Sequence, residues 1–148
     1  MDKVISVIGI DLAKNVFQVC AANDSGKRLF NRSVSRAKLL PMLPNIPKCV
    51  VGMEACSSSH YWGREIEQLG HEVKLMPPQY VKPYVKTNKN DATDADAICE
   101  AVVRPSMRFV AIKSVEQQAL MLLHRDRRGL VRDRTSLVNR LCAMMGEF

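Results

Sequence analysis

Aromatic side chains are scarce in this sequence, at 5% of 148 residues with a single Trp. No apolar run approaches the ~18 residues that a membrane-spanning helix needs, so no contact with a bilayer is expected. No C-x-x-C pair occurs. The five cysteines, Cys20, Cys49, Cys56, Cys99 and Cys142, are odd in number and scattered. That excludes a disulfide framework and fits reduced thiols in a cytoplasm. His60, His71 and His124 have no metal-ligand spacing with those thiols, which argues against zinc. Gly-rich phosphate loops are missing as well: Gly9 is followed by no G-x-G, which disfavours a nucleotide-binding kinase or actin-like half. Met1-Asp2-Lys3 runs straight into a strand-like segment, so no export signal is expected. Acids are outnumbered, 15 against 22 Lys and Arg, giving a net charge of +7 and a pI near 9.4. A basic excess on a folded domain points to a polyanionic partner.

What is present suits one folded domain. Apolar residues make up 47% of the chain, enough for a core. Val4 to Asp11 (VISVIGID) is β-rich and nearly all apolar, as a strand buried on both faces should be. Asn15 to Ala22 reads as a second strand, Asn23 to Gly26 as a turn, and Lys27 to Val34 as a third strand. Ser35 is placed to cap a short helix over Arg36 to Leu43. Cys49 to Glu54 (CVVGME) is a fourth strand. Ser57, Ser58 and Ser59 offer caps for a helix from His60 to Leu69. His71 to Met76 is a fifth strand. A helix over Ala92 to Val103 follows, then a short edge strand at Met107 to Ile112. From Glu116 one long helix runs to the end. The order β-β-β-α-β-α-β-α describes an α/β fold, a mixed five-stranded sheet flanked by helices. Residues 1–112 are expected to form the domain and residues 113–148 the start of a coiled-coil-like helix. In that helix Leu123, Leu130, Leu137 and Met144 recur every seven residues, a stripe suited to a seam.

Four acids stand in chemically telling places. Asp11 and Glu54 each end an apolar strand, where a carboxylate is costly to bury unless paired or metal-bound. Asp91 and Asp94 lie three apart at a helix start and so share a side; Asp96 should point elsewhere. Singly, each has an ordinary structural role as turn former, ion-pair partner or helix cap. Together they form a set of hard oxygen ligands suited to Mg²⁺ or Mn²⁺. Two such ions can stabilise the attacking and leaving oxygens of a phosphoryl displacement.

The segments VIGIDLAKNVFQV, VVGMEACSSSHYWGREIEQLGHEV and KTNKNDATDADAI resemble the insertion-sequence transposases with an N-terminal DEDD, RuvC-like (RNase H-like) domain. These are relatives of the Piv-type invertases and of the bridge-RNA-guided recombinases. The resemblance covers almost the whole chain. It implies metal-assisted DNA strand cleavage and transfer, with Asp11, Glu54, Asp91 and Asp94 as metal ligands. It also implies a C-terminal domain with a nucleophilic serine, assembly as a dimer or tetramer, and binding of a structured guide RNA. No serine of this chain takes that nucleophilic role.

Two stretches are candidate nucleic-acid contacts. Tyr80, Lys82, Tyr84, Lys86 and Lys89 alternate rings with charges before Asp91, a mixture able to stack on bases and neutralise phosphates. Arg125, Arg128 and Arg132 lie on the long helix opposite its apolar stripe. His60, Trp62 and His124 read as packing residues. Two other functions fit parts of this pattern: an RNA- or DNA-binding dimerisation module without catalysis, and a stand-alone metal-dependent nuclease such as a junction resolvase. Clustered acids disfavour the first and the unfinished long helix the second.

Overall fold

The computed structural model describes residues 4–85 and 91–146. It divides into two compact units, residues 1–112 and 113–148.

Unit one is built on five strands: β1 (Val7–Asp11), β2 (Val16–Ala22), β3 (Arg28–Ser35), β4 (Val50–Glu54) and β5 (Glu72–Met76). Their order across the sheet is β3-β2-β1-β4-β5. The first three form an antiparallel meander, whereas β1–β4 and β4–β5 are parallel. The central strand β1 therefore has neighbours on both sides and must be apolar on both faces. Ile8 and Ile10 fill one face and Val7 the other, all buried. The mixed α/β sheet expected from the pattern is thus the one observed.

Helices cover the sheet on both sides. α1 (Arg36–Met42) and α2 (Ser59–Gln68) belong to the face where Ile8, Ile10, Phe17, Val51, Met53, Leu39, Trp62 and Ile66 form one core. α3 (Pro78–Val81) and α4 (Asp91–Ala101) belong to the other, where Val7, Cys20, Ala22, Val81, Ala95, Ile98 and Val102 form a second core. α4 lies across β1 and β2, and glycine makes that possible. A Cβ on Gly9 would stand 2.6 Å from the Ala95 carbonyl oxygen and 2.7 Å from the Cys99 nitrogen. Only a residue without a side chain lets the helix backbone come so near the strand.

Several local details differ from expectation. The Met107–Ile112 stretch is not a strand; it meets the sheet through an isolated antiparallel bridge from Val110 to Leu75. Pro41 lies inside α1, one residue before its end. It stands in the last turn, so the bond forgone is the single one its N–H would have given to the Ala37 carbonyl. Neither Ser35 nor Ser58 makes a side-chain cap bond. Instead the Ser59 hydroxyl accepts from the Cys56 N–H at 3.0 Å and donates to the Cys56 carbonyl at 2.9 Å, closing the loop after β4.

Unit two is α5 (Val115–Met145), 31 residues long. Its start is fixed by a capping box: the Ser114 hydroxyl accepts from the Gln117 N–H, and the Gln117 side chain accepts from the Ser114 N–H. No residue of α5 is buried, and the stripe Leu123, Leu130, Leu137 and Met144 is exposed. His124, expected to pack, is exposed too. No helix among the described residues is long and apolar enough to cross a membrane.

Candidate functional site

β1 and β4 run parallel and adjacent, in register from Val7↔Val50 to Ile10↔Met53. Asp11 and Glu54 are the next residues on each strand, so they end side by side, with backbones roughly 4.8 Å apart. Their direction follows from alternation. A Cβ on Gly9 meets α4 backbone, and a Cβ on Gly52 meets the side chains of Ile98 in α4 and of Val102 just after it. Asp11 and Glu54 lie two residues beyond those glycines and point to the same face. Both carboxylates therefore project on the side that α4 covers, and both are only partly exposed.

α4 runs antiparallel to β1. Its residue Cys99 reaches the Val7 carbonyl at 3.9 Å, while Ala95 sits against Gly9 two residues up the strand. Continuing that direction brings the first turn of α4, with Asp91 and Asp94, toward the Asp11 end of the sheet. The side chain of Asp91 lies outside the described residues. Among the described residues, no group of three or more His, Cys, Asp and Glu stands close enough to hold a metal.

Asp96 turns away, as its helical angle requires. Its carboxylate accepts from Arg28 at 2.7 Å, from the Asn31 amide at 2.8 Å and from the Cys20 thiol at 3.0 Å. A chain of hydrogen bonds continues from it. Asn31 Nδ2 also donates to the Ala92 carbonyl at 2.8 Å, Gln18 Nε2 donates to Asn31 Oδ1 at 2.6 Å, and Ser33 donates to Gln18 at 2.7 Å. This network fastens the first turn of α4, and so Asp94, to β2 and β3. Sequence reasoning passes over Gln18 and Asn31. The signal that could find them is a lone amide inside each strand, a polar group that needs a partner when covered.

Beneath the network, Cys20 faces Cys99. The Cys20 thiol is pushed far above its ordinary range by its hydrogen bond with Cys99, by burial and by Asp96. Cys99 moves the other way, mainly because Cys20 hydrogen-bonds to it. Both stay reduced, as do Cys49, Cys56 and Cys142.

The two basic stretches fall in different places. Tyr80, in α3, and Lys82, directly after it, are exposed. Tyr84 is half-buried and carries the Arg104 guanidinium 5.7 Å from its ring centre, near the C-terminal end of α4 and so at the other end from Asp94. Lys86 and Lys89 lie outside the described residues. Arg125, Arg128 and Arg132 are exposed on α5.

Comparison with known proteins bears on the family and the fold. The model of a DEDD transposase family, described as "Transposase", matches residues 8–148. A probable family 20 transposase of Pseudomonas aeruginosa is 52% identical over 144 residues, which is 97% of this chain and 43% of that protein. The transposase for insertion sequence element IS1328 of Yersinia enterocolitica is 47% identical over 97% of this chain and 43% of its own length. That of element IS1111A of Coxiella burnetii is 43% identical over 99% of this chain and 40% of its own. The chain thus spans less than half the length of these relatives. Among solved structures, Thermus thermophilus RuvC superposes with a TM-score of 0.53 over 70% of this chain and 99% of that one, at 14% identity. The same protein in complex with a Holliday junction gives 0.51. At such identity the likeness concerns the fold, which is RuvC-like. The chain belongs to the DEDD transposase family of the IS110 type, an enzyme class.

Proposed function

We propose that this chain supplies the metal-dependent nuclease centre of a DNA transposase, with Asp11, Glu54, Asp91 and Asp94 as its ligands. The observation that carries this is the register of β1 and β4, which ends both strands in a carboxylate on the face that α4 covers. Four carboxylates from two strand ends and one helix turn are hard oxygen donors, a set that fits Mg²⁺ or Mn²⁺. Such ions, when bound, stabilise the charge that builds on the oxygens of a phosphodiester under displacement. The chain's own part is to hold those carboxylates convergent, with α4 anchored by Asp96 and by its close approach to Gly9.

The rest of this reading concerns partners. DNA is the substrate, and a structured guide RNA is a partner. Arg125, Arg128 and Arg132 contact nucleic-acid backbone, as do Lys82, Lys86 and Lys89, while Tyr80 and Tyr84 stack on bases. The apolar stripe of α5 joins copies of the chain into a dimer or tetramer, and a serine on a C-terminal domain completes the reaction in the cytoplasm.

The test is calorimetric titration with Mn²⁺ of the parent, Asp11→Asn and Glu54→Gln. Loss of a ligand should lower affinity beyond the roughly 10–100-fold typical of an outer partner. Equal binding by the parent and both variants, all folded, would overturn the assignment.

A further inference from the structure

The edge of the sheet that carries Asp11 and Glu54 has a second set of side chains on its opposite face. Arg36 opens α1 directly after β3, and its backbone N–H donates to the Asn15 carbonyl at 2.9 Å. Its guanidinium donates to the Lys14 carbonyl at 3.4 Å and lies 5.1 Å from the Trp62 ring centre and 6.0 Å from that of Phe17. Trp62 is held edge-on by Phe17 at 5.0 Å and by Tyr61 at 5.3 Å. Phe17 and Trp62 are buried, so they form a fixed backing, whereas Tyr61 is 42% exposed and presents its ring to solvent. Lys14 and Arg36 are exposed, and among the described residues neither has a carboxylate partner.

Position makes this arrangement informative. Lys14 follows Asp11 by three residues in the β1–β2 turn, and Arg36 stands at the same edge two strands away, about 10 Å from β1. Two cations that form no ion pair among the described residues therefore stand at the carboxylate end of the sheet. One of them is a guanidinium oriented by aromatic faces, which lowers the entropy lost when it grips an anion. A cluster of carboxylates repels a phosphodiester, and cations beside it offset that repulsion.

We propose that Lys14 and Arg36 form a clamp for the phosphate backbone of the DNA strand led to the carboxylates, with Tyr61 stacking on an unpaired base beside it. The clamp rests on the nuclease reading above, but it makes a separate claim about binding. Lys14 and Arg36 position the strand and do not touch the reacting phosphorus.

The experiment measures binding of a short fluorescein-labelled single-stranded DNA, and of its duplex, by this chain across a salt series. The variants are Lys14→Gln, the double Lys14→Gln/Arg36→Gln, Tyr61→Ala and Asp11→Asn. Each neutralised phosphate contributes about 0.9 to the slope of log affinity against log salt on duplex and about 0.7 on single strand. The double variant should lower the slope by about 1.8 and about 1.4, and Lys14→Gln, an exposed turn substitution that leaves folding intact, by about half as much. Tyr61→Ala should weaken single-strand binding more than duplex binding. A parental slope in Lys14→Gln and the double variant, or no DNA binding by the parent, would overturn the clamp. Asp11→Asn separates the two claims: it should lose Mn²⁺ and keep the parental salt slope, so the clamp can fail while the carboxylate assignment stands, and the reverse.

Discussion

The carbonyl oxygen of Ala95 occupies the space where a side chain at Gly9 would stand, 2.6 Å from an ideal Cβ. The obstructing atoms are helix backbone and cannot rotate aside. Gly9→Ala must therefore lift α4 from β1, at a cost of about 1–3 kcal/mol, and carry Asp94 away from Asp11. Gly52→Ala meets Val102 Cβ and Cγ2 at 2.9 and 3.0 Å, side-chain atoms that have more room to move. Thermal melting with Mn²⁺ titration should show Gly9→Ala as the worse of the two in both respects. Equal behaviour would mean that the close approach does not position α4.

Asp96 and Asp94, one helical half-turn apart, should answer differently to substitution. Asp96→Ala leaves the Cys20 thiol and the Asn31 amide short of an acceptor, a loss of about 1–3 kcal/mol. The exposed Arg28 end of the same cluster adds little. Asp94→Asn should leave denaturant stability nearly unchanged while lowering Mn²⁺ affinity. The opposite pattern would exchange their roles.

Helix α5 contains one weak position and one strong one. Gly129 lies mid-helix, and a methyl added there would meet nothing within 4 Å, so Gly129→Ala should raise helix stability by about 0.5–1 kcal/mol. Ser114→Ala removes half of the capping box and should cost about 1 kcal/mol. Circular dichroism on thermal unfolding reads both.

Alkaline pH should destabilise unit one. Burial pushes the Cys49 thiol from 9.0 up to about 11. Its folded value is raised, so its contribution is complete below pH 9 and is lost as pH rises toward about 11. Cys20 is shifted in the same direction. Cys49→Ala should flatten the fall in melting temperature between those two pH values, and an unchanged profile would remove burial of this thiol as the cause.

Charge neutralisation on α5, Arg128→Gln with Arg132→Gln, should lower the salt slope of nucleic-acid binding by about 1.8 on duplex if both arginines meet phosphate. A parental slope would place those side chains away from the bound backbone.

The sheet was legible in the sequence because its signal is local. VIGID and VVGME are apolar on both faces, which only an interior strand tolerates, and each ends abruptly in an acid. The sequence also separated Asp96 from Asp91 and Asp94, since helical angles are fixed by spacing alone. Other features depended on tertiary structure. No pattern in RLFNRSVS states that Asn31 will reach Ala92 and Asp96 of α4, because hydrogen bonds spanning 61 and 65 residues form only once the sheet has closed. The Arg36–Trp62 stacking likewise joins residues from two helices that pack on the same face. Local periodicity thus determined the strands, their terminal carboxylates and the long helix. The register of β1 against β4, the approach of α4 to Gly9 and the partners of Asp96 were decided by packing, since they depend on which faces meet.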